Sequence, residues 1–193
     1  MNQRKRVGIL GGSFNPIHIG HLALANYIAQ YENIDEVWFM VTPQNPLKDN
    51  NELLPQEERL ELVKISTQEV PFFKASDFEF NLPKPSYTAN TLIALKQEYP
   101  KYDFSLIIGS DNWEIFPKWK SANFILQNFP ILIYPRIGYP IPTSLPKSVQ
   151  AIHAPIIEIS STAIRKAFKR KKLLPYYMHH KAYQLILKNG WYQ

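Results

Sequence analysis

The sequence contains no cysteine among its 193 residues. This absence excludes a disulfide framework, a thiolate zinc site, an iron–sulfur cluster and a cysteine nucleophile, and it fits a reducing compartment. No apolar run approaches the roughly 18 residues that a membrane-spanning helix needs. The chain begins MNQRKRVGIL, which has a basic start but too short an apolar stretch for a signal peptide. These absences predict a cytoplasmic protein without a membrane partner.

Internal repeats and low-complexity segments are also absent, and the composition is that of a folded protein. Hydrophobic residues make up 45% of the chain and aromatic residues 13%, which is enough to bury a core and excludes overall disorder. The length predicts one domain over residues 1–193. Lys and Arg number 22 against 16 Asp and Glu, a net charge of +6. This balance favours anionic partners, either nucleic acid or small phosphates, although a solvated basic surface gives the same count.

Short apolar segments alternate with segments of helical periodicity along the chain. The predicted strands are Val7–Leu10, Glu36–Thr42, Phe72–Ala75, a short edge piece at Phe78–Phe80, Phe104–Ile108, Ile131–Tyr134 and Ala151–Ile157. The predicted helices run from Gly20 or His21 to Tyr31, from Pro55 to before Pro71, over Ala89–Glu98 and Ala122–Gln127, from Ser160 to Lys171, and over Met178–Lys188.

This alternation predicts an α/β fold, a Rossmann-like parallel sheet with helices on both faces and a small helical C-terminal part. Ligands of such sheets bind beyond the carboxyl ends of the strands. The turns after Leu10, Thr42, Ile108 and Ile157 are therefore the places where a site is expected.

The turn after the first predicted strand reads Gly11-Gly12-Ser13-Phe14-Asn15-Pro16-Ile17-His18-Ile19-Gly20-His21. It lacks the Gly-Lys-Ser/Thr of a Walker loop and the spacing of a GxGxxG dinucleotide loop. Paired glycines still let a backbone approach a phosphate, and His18 and His21 fall at a helix start, where the dipole favours negative charge. Two ordinary histidines or two zinc ligands would fit the same spacing. Zinc is disfavoured, because the chain has no cysteine and only three histidines elsewhere.

A second polar turn follows the last predicted strand and reads Ile159-Ser160-Ser161-Thr162-Ala163-Ile164-Arg165. Three hydroxyl residues open a helix there, and Arg165 lies one turn further on. Hydroxyl groups, the N–H groups of a helix start and a guanidinium together form a cradle for a polyphosphate. A plain serine cap on a basic surface helix is the alternative for this segment alone. The presence of the first turn, far away in the sequence, favours the phosphate cradle.

Both turns resemble the signature motifs of the nucleotidyltransferase superfamily, of which the first ends in His-x-Gly-His and the second reads Ile-Ser-Ser-Thr-x-Ile-Arg. Three further segments resemble one member family, the nicotinate-nucleotide adenylyltransferases. They read Pro85-Ser86-Tyr87-Thr88-Ala89-Asn90-Thr91-Leu92, Ile107-Ile108-Gly109-Ser110-Asp111 and Phe116-Pro117-Lys118-Trp119. The sibling phosphopantetheine adenylyltransferases share the first and last motifs but lack the Ser-Tyr-Thr-Ala segment. The resemblance extends from Val7 to Tyr192.

The resemblance implies an enzyme that joins nicotinate mononucleotide to the AMP moiety of ATP, giving nicotinate adenine dinucleotide and pyrophosphate in NAD biosynthesis. Mg²⁺ is expected to accompany ATP, because two anionic substrates repel each other unless a cation intervenes. No dedicated carboxylate cluster for the metal stands out in the sequence. The alternatives are the same chemistry on nicotinamide mononucleotide or phosphopantetheine, and a non-catalytic module that binds nucleotides or nucleic acid. The oligomeric state is left open.

The resemblance also implies roles for individual residues. His18, His21 and Arg165 are expected to be catalytic, by stabilising charge on the transferring phosphoryl group rather than as general bases. The residues expected to bind ATP are Gly11, Gly12, Ser13, Phe14, Gly109, Asp111, Ser161 and Thr162. Those expected to bind nicotinate mononucleotide are Asn15, Lys48, Thr88, Trp119 and Lys120.

Within the implied acceptor site, Trp119 is the expected stacking platform for the pyridine ring, with Thr88 beside the carboxylate of the ring. Lys120 stands where some relatives have an aromatic residue, so its contribution is expected from the backbone N–H or from an added charge. The alternative for Trp119 is a core aromatic. Lys48 could reach the phosphate of the mononucleotide or the polyphosphate, and its alternative is a solvated loop lysine. The cationic run from Arg165 to Lys172 is interpreted as a helix C-terminus rather than a nucleic-acid site.

Overall fold

The computed structural model describes residues 4–43 and 53–193. The strands of this part of the chain are β1 (Lys5–Gly12), β2 (Glu36–Val41), β3 (Phe73–Ser76), β4 (Tyr102–Gly109), β5 (Ile131–Tyr134) and β6 (Val149–Ala151). The α-helices are α1 (Ile19–Tyr31), α2 (Gln56–Thr67), α3 (Thr88–Glu98), α4 (Ser110–Ile115), α5 (Ala122–Asn128), α6 (Ser161–Lys169) and α7 (His180–Asn189). None of these helices combines the length and the apolar character that crossing a membrane requires.

The strands pair in parallel in the order β3-β2-β1-β4-β5-β6. The central strand β1 places Leu10 opposite Phe39 of β2 and Ile107 of β4. The order of the strands reverses at β1, and in open α/β sheets ligands bind in the crevice at such a reversal. The predicted α/β, Rossmann-like parallel sheet is confirmed.

Each face of the sheet buries its own apolar cluster, because successive side chains of a strand point to opposite faces. In β2, Phe39 and Val41 join one cluster and Trp38 and Met40 join the other. The first cluster packs against residues of α1, α2, α6 and α7, and the second against residues of α3 and α5. Helices therefore cover both faces, as the sequence predicts, and the C-terminal helices share the core of the N-terminal ones.

Two predicted strands are wrong. Phe78–Phe80 lies in a 3₁₀ helix, Phe78–Asn81, in which the Phe80 N–H donates to the Asp77 carbonyl at 2.8 Å. The predicted strand Ala151–Ile157 ends at Ala151, because its partner β5 ends at Tyr134 and is followed by a proline. Beyond that point no strand of residues 4–43 and 53–193 pairs with the chain, and Ile156 is 53% exposed.

A helix that the sequence analysis missed, α4, follows β4 without a loop. It has only six residues and begins with the polar Ser110 and Asp111, so it offers too few positions for an apolar period to be recognised. Its start places Asp111 at the carboxyl edge of the sheet, where the predicted site lies.

Candidate active site

The turn between β1 and α1 is held in shape by buried aromatic packing. Phe14 has a left-handed backbone with φ of 45°, and the Asn15–Pro16 peptide bond is cis. The Phe14 ring is buried, with its centroid 5.8 Å from that of Phe39 and 5.1 Å from that of His21. A side chain at Gly12 would press on this ring, with its Cβ 3.1 Å from the nearest ring atom. The packing therefore fixes the direction in which the chain enters α1.

His18 and His21 lie face to face at the start of α1. Their ring centroids are 3.7 Å apart, and the His18 backbone N–H donates to His21 Nδ1 at 3.2 Å. Because Nδ1 accepts this hydrogen bond, the proton of a neutral His21 is on Nε2. His18 is only 5% exposed. The predicted pair is therefore one unit in which each histidine restrains the other.

The imidazole of His18 is held in its neutral form. Burial, together with the positive charge of Arg136, lowers the pKa of His18 to about 4. Its Nδ1 is buried and has no hydrogen-bond partner among residues 4–43 and 53–193. A buried polar nitrogen without a partner is costly, so this atom is suited to a ligand that brings one.

A cavity of about 350 Å³ opens beside the two histidines. The end of β5, the start of α4 and the segment before α6 complete its wall. The residues that line it include His18, His21, Asp111, Arg136, Ile157 and Ser160. Imidazoles, a guanidinium and a helix start converge on this space, which gives it the character of an anion site.

Arg136 is a functional candidate that the sequence analysis missed. Its Nε lies 3.7 Å from Asp111 Oδ1, and its backbone N–H donates to Ser110 Oγ at 2.9 Å. Gly109 makes this arrangement possible, because a Cβ there would collide with the Asp111 carboxylate and with Arg136. The available signal was position: Arg136 follows the carboxyl end of β5, and the turn after that strand was not among the places where a site was expected.

The second predicted motif lies directly against the first. Ser160 caps α6, its side chain accepting a hydrogen bond from the Ala163 N–H at 3.2 Å. Ser161 Oγ donates to the Pro16 carbonyl at 2.8 Å, and Arg165 donates to the Asn15 carbonyl at 2.9 Å. Two residues expected to hold phosphates thus also hold the backbone of the histidine turn.

Arg59 on α2 also supports the turn between β1 and α1, and no motif in the sequence points to it. Its guanidinium is fully buried and donates to the carbonyls of Ser13 at 2.6 Å, Thr42 at 2.8 Å and Pro43 at 2.9 Å. Arg59 Nε also donates to the Leu54 carbonyl at 2.9 Å. A buried charge is tolerated when it makes such hydrogen bonds. Arg59 thereby joins the ends of β1 and β2.

Three of the five residues expected to bind the mononucleotide lie in two neighbouring segments. Thr88 is the first residue of α3 and follows Tyr87. Lys120 Nζ lies 4.3 Å from the ring centroid of Tyr87, so the two segments are in contact. Trp119 packs on Phe116, with ring centroids 5.5 Å apart, and its buried Nε1 has no partner among the described residues. The structure thus brings Thr88, Trp119 and Lys120 together.

The remaining predicted residues have mixed positions. Asn15 is only 4% exposed, and its Oδ1 accepts hydrogen bonds from the Leu54 N–H at 3.2 Å and from the Tyr192 hydroxyl at 2.8 Å. Lys48 lies outside the described residues. Thr162 is exposed near the start of α6. None of these observations tests the predicted roles, which stay predictions.

A resident metal ion does not fit the groups present. Residues 4–43 and 53–193 contain no group of three or more His, Asp or Glu side chains that could hold one. Two acidic residues, Asp111 and Glu158, line the cavity, and Asp111 is 3.7 Å from the Arg136 guanidinium. Since Mg²⁺ prefers several oxygen ligands, the described side chains do not by themselves form a site for this ion.

A buried carboxyl next to the acceptor segments gives a pH-dependent prediction. Burial raises the pKa of Glu79 to about 7, and the opposing hydrogen bond from Thr91 Oγ1, at 2.8 Å, is too weak to cancel this. The folded state therefore binds more protons than the unfolded state between about pH 4.5 and 7. The stabilising contribution of the neutral carboxyl is full below pH 4.5 and is lost as pH rises through about 7.

We expect Glu79→Gln to gain stability relative to the wild type as pH rises from 5 to 9, by about 3 kcal/mol if the whole shift is realised. Urea unfolding of both proteins at several pH values measures this difference. Glu114→Gln, at an exposed position, is the control and should follow the wild type. Identical pH profiles for Glu79→Gln and the wild type would contradict the prediction.

Comparison with known proteins connects this geometry to a family. The cytidylyltransferase-like family model matches residues 9–167. A probable nicotinate-nucleotide adenylyltransferase of Bacteroides thetaiotaomicron is 53% identical over 186 residues, which cover 96% of this chain and 92% of that protein. The protein of the same name from Flavobacterium psychrophilum is 44% identical, over 97% of this chain and 99% of its own.

Solved structures share the fold at lower identity. Plasmodium falciparum nicotinic acid mononucleotide adenylyltransferase, complexed with NaAD, matches with a TM-score of 0.79 and 22% identity over 97% of both chains. A putative nicotinate-nucleotide adenylyltransferase from Vibrio parahaemolyticus matches with a TM-score of 0.74 and 23% identity. These likenesses concern the fold, whereas the sequence relatives cover nearly the whole chain, including both motifs. The chain therefore belongs to the nicotinate-nucleotide adenylyltransferases, within the cytidylyltransferase-like family.

Proposed function

We propose that this chain transfers the adenylyl group of ATP to the phosphate of nicotinate mononucleotide, releasing pyrophosphate, as a step of NAD biosynthesis. The observation that carries the proposal is the cavity in which His18, His21 and Arg136 meet the start of α6 at the carboxyl edge of the sheet. The relatives that are 53% and 44% identical to the chain are named for this activity.

The nucleotide is proposed to lie along the cavity, with its triphosphate between the histidine turn and α6. The N–H groups at the start of α6 and the side chains of Ser161, Thr162 and Arg165 would attract the phosphates. The backbone of Gly11, Gly12, Ser13 and Phe14 would border the nucleotide from the β1 side. Close approach at Gly109 and the carboxylate of Asp111 suit the adenosine, whose ribose hydroxyls are hydrogen-bond donors.

In the proposed reaction, a phosphate oxygen of the mononucleotide attacks the α-phosphorus of ATP. The bond from that phosphorus to the bridging oxygen breaks, and pyrophosphate leaves with the electron pair. The attacking phosphate is already ionised, so no general base is needed. The neutral His18 donates an N–H to the transferring group, and negative charge that enters the site raises the proton affinity of both histidines.

Mg²⁺ is proposed to enter as part of the substrate, bound to the phosphates of ATP. It would reduce the repulsion between the two anionic substrates and neutralise charge on the leaving pyrophosphate. The cations of this chain that would share in this neutralisation are Arg136 and Arg165. The carboxylates described at the cavity offer no alternative cage for the ion.

The acceptor is proposed to bind between the start of α3 and Trp119. The indole Nε1 of Trp119 lacks a partner among the described residues, and its ring would stack on the pyridine. Discrimination of the acid from the amide requires donors aimed at the carboxylate. The backbone N–H groups near Thr88 and Lys120 are the proposed donors, with the charge of Lys120 favouring the acid. Asn15 and Lys48 are proposed to act on the phosphate of the acceptor.

The test is pyrophosphate release from ATP and Mg²⁺ with one acceptor in each reaction. Nicotinate mononucleotide is expected to support rapid pyrophosphate release. The rate with its amide is expected to be at least about 100-fold lower, because hydrogen-bond donors that the amide leaves unpaired cost several kcal/mol. Phosphopantetheine is expected to give none. Release with another acceptor alone would keep the ATP site and overturn the acceptor site. If none of the three acceptors supports pyrophosphate release, the enzymatic proposal is overturned in favour of a binding module.

A further inference from the structure

The segment after α7 reverses direction and returns to the histidine turn. Gly190 and Tyr192 both have left-handed backbones, with φ of 65° and 68°. The Trp191 N–H donates to the Ile186 carbonyl at 3.1 Å, which anchors the reversal to the helix. The Tyr192 ring then stacks near Phe168 of α6, with centroids 6.3 Å apart. This places the phenol between α6 and the turn that follows β1.

The Tyr192 hydroxyl contacts the side chain of Asn15. It lies 2.8 Å from Asn15 Oδ1, and burial raises the pKa of the phenol well above its usual range. Tyr192 therefore remains protonated and donates this hydrogen bond. Asn15 is nearly inaccessible, and its Oδ1 also accepts from the Leu54 N–H at 3.2 Å.

Asn15 is the point at which several restraints on the turn meet. It lies three residues before His18, and its own carbonyl accepts a hydrogen bond from Arg165 at 2.9 Å. The next carbonyl, that of Pro16, accepts one from Ser161 at 2.8 Å. Contacts from α6 thus hold the backbone of the turn, whereas Tyr192 and Leu54 hold the side chain of Asn15. Tyr192 is not among the residues that line the cavity.

We propose that Tyr192 is a positioning residue for adenylyl transfer, which acts by holding Asn15 and so fixing the turn that presents His18. The proposal rests on the proposed function, since it assigns Tyr192 a part in that reaction. Removal of the hydroxyl leaves a buried amide oxygen with one hydrogen bond fewer, so the turn gains conformations in which His18 is displaced. Phosphoryl transfer depends on alignment to fractions of an ångström, so turnover is more sensitive to this change than substrate binding is.

The test compares Tyr192→Phe with Tyr183→Phe in the full chain. Tyr183 is a matched control, because it is also buried and its ring centroid lies 6.0 Å from that of Phe168. We expect Tyr192→Phe to lower kcat about 10-fold while KM for each substrate changes less than about 3-fold, since a misplacement of about 1 Å costs up to about 100-fold in rate. Tyr183→Phe should keep the wild-type kcat.

Hydrogen exchange of the peptide covering residues 13–21 gives a readout that does not depend on turnover. It should become faster in Tyr192→Phe and stay unchanged in Tyr183→Phe. A folded Tyr192→Phe protein with kcat within about 2-fold of the wild type, or an equal loss in Tyr183→Phe, would overturn the proposal. A wild-type protein that makes no dinucleotide would overturn the proposed function instead. In that case the hydrogen exchange of residues 13–21 still tests Tyr192, and an unchanged rate in Tyr192→Phe would show that Tyr192 does not restrain the turn.

Discussion

Replacement of His18 by alanine is expected to lower kcat about 10²–10³-fold or more, the loss seen when a preorganised donor to a charged transition state is removed. His18 is buried at the edge of the cavity and is stacked on His21, so its removal also takes away the ring on which the second imidazole packs. The neutral form of His18 contributes a hydrogen bond rather than a fixed charge. KM for ATP should therefore rise much less than kcat falls. Steady-state pyrophosphate release with both substrates varied measures the two quantities.

The His18→Ala protein should remain folded, because the ring lines the cavity and belongs to neither of the two apolar clusters that pack the sheet. His153→Ala is the matched control, since His153 is exposed and lies outside the cavity lining. The control should keep wild-type kinetics. A His18→Ala protein that retains wild-type turnover would refute the catalytic assignment of the histidine pair.

Replacement of Arg165 by alanine is expected to lower kcat/KM about 10²–10³-fold, because two functions are lost at once. The variant loses a cation proposed to hold the polyphosphate, and hydrogen bonds to charged groups contribute about 1.5–3 kcal/mol each. It also loses the donor to the Asn15 carbonyl at 2.9 Å, so the histidine turn is no longer tied to α6 at that atom. The same pyrophosphate assay measures the loss.

Two further variants separate these functions of Arg165. Arg165→Lys keeps the positive charge but not the fork of N–H donors, so it should recover part of the affinity for ATP and little of kcat. Lys166→Ala removes a neighbouring exposed cation from the same helix and should keep wild-type kinetics. An equal loss in Lys166→Ala would mean that the general charge of α6, and not the placement of Arg165, is what matters.

The alternation of strands and helices was readable from the sequence, because the parallel strands are buried on both faces and form short apolar runs with clear ends. β1, β2, β4 and β5 were located within a few residues for this reason. The errors fall where tertiary context decides. The run Ala151–Ile157 is apolar enough for a strand, yet β5 ends too early to pair with it. Ile156 and Ile157 instead border the cavity.

The two motifs identified the site for a similar reason. His18 and His21 are close in sequence, and their spacing on one helix start already implies that they lie together. In the second motif, three hydroxyl residues stand directly before a helical segment, and this order is typical of a helix that begins with a serine cap. That Ser161 and Arg165 bond to the carbonyls of Pro16 and Asn15 was not readable, because about 150 residues separate the partners.

By itself, the sequence determined the α/β class, the two polar turns and the family to which they belong, since each of these depends on local spacing. Only the tertiary structure decided which side chains support those turns. Arg136, Arg59 and Tyr192 reach the site from the end of β5, from α2 and from the segment after α7. Their residue types are common, and their neighbours in sequence give no signal. The parallel strand order brings these distant segments to one edge of the sheet. There, the contacts of each side chain depend on its burial, its hydrogen-bond partners and its charge.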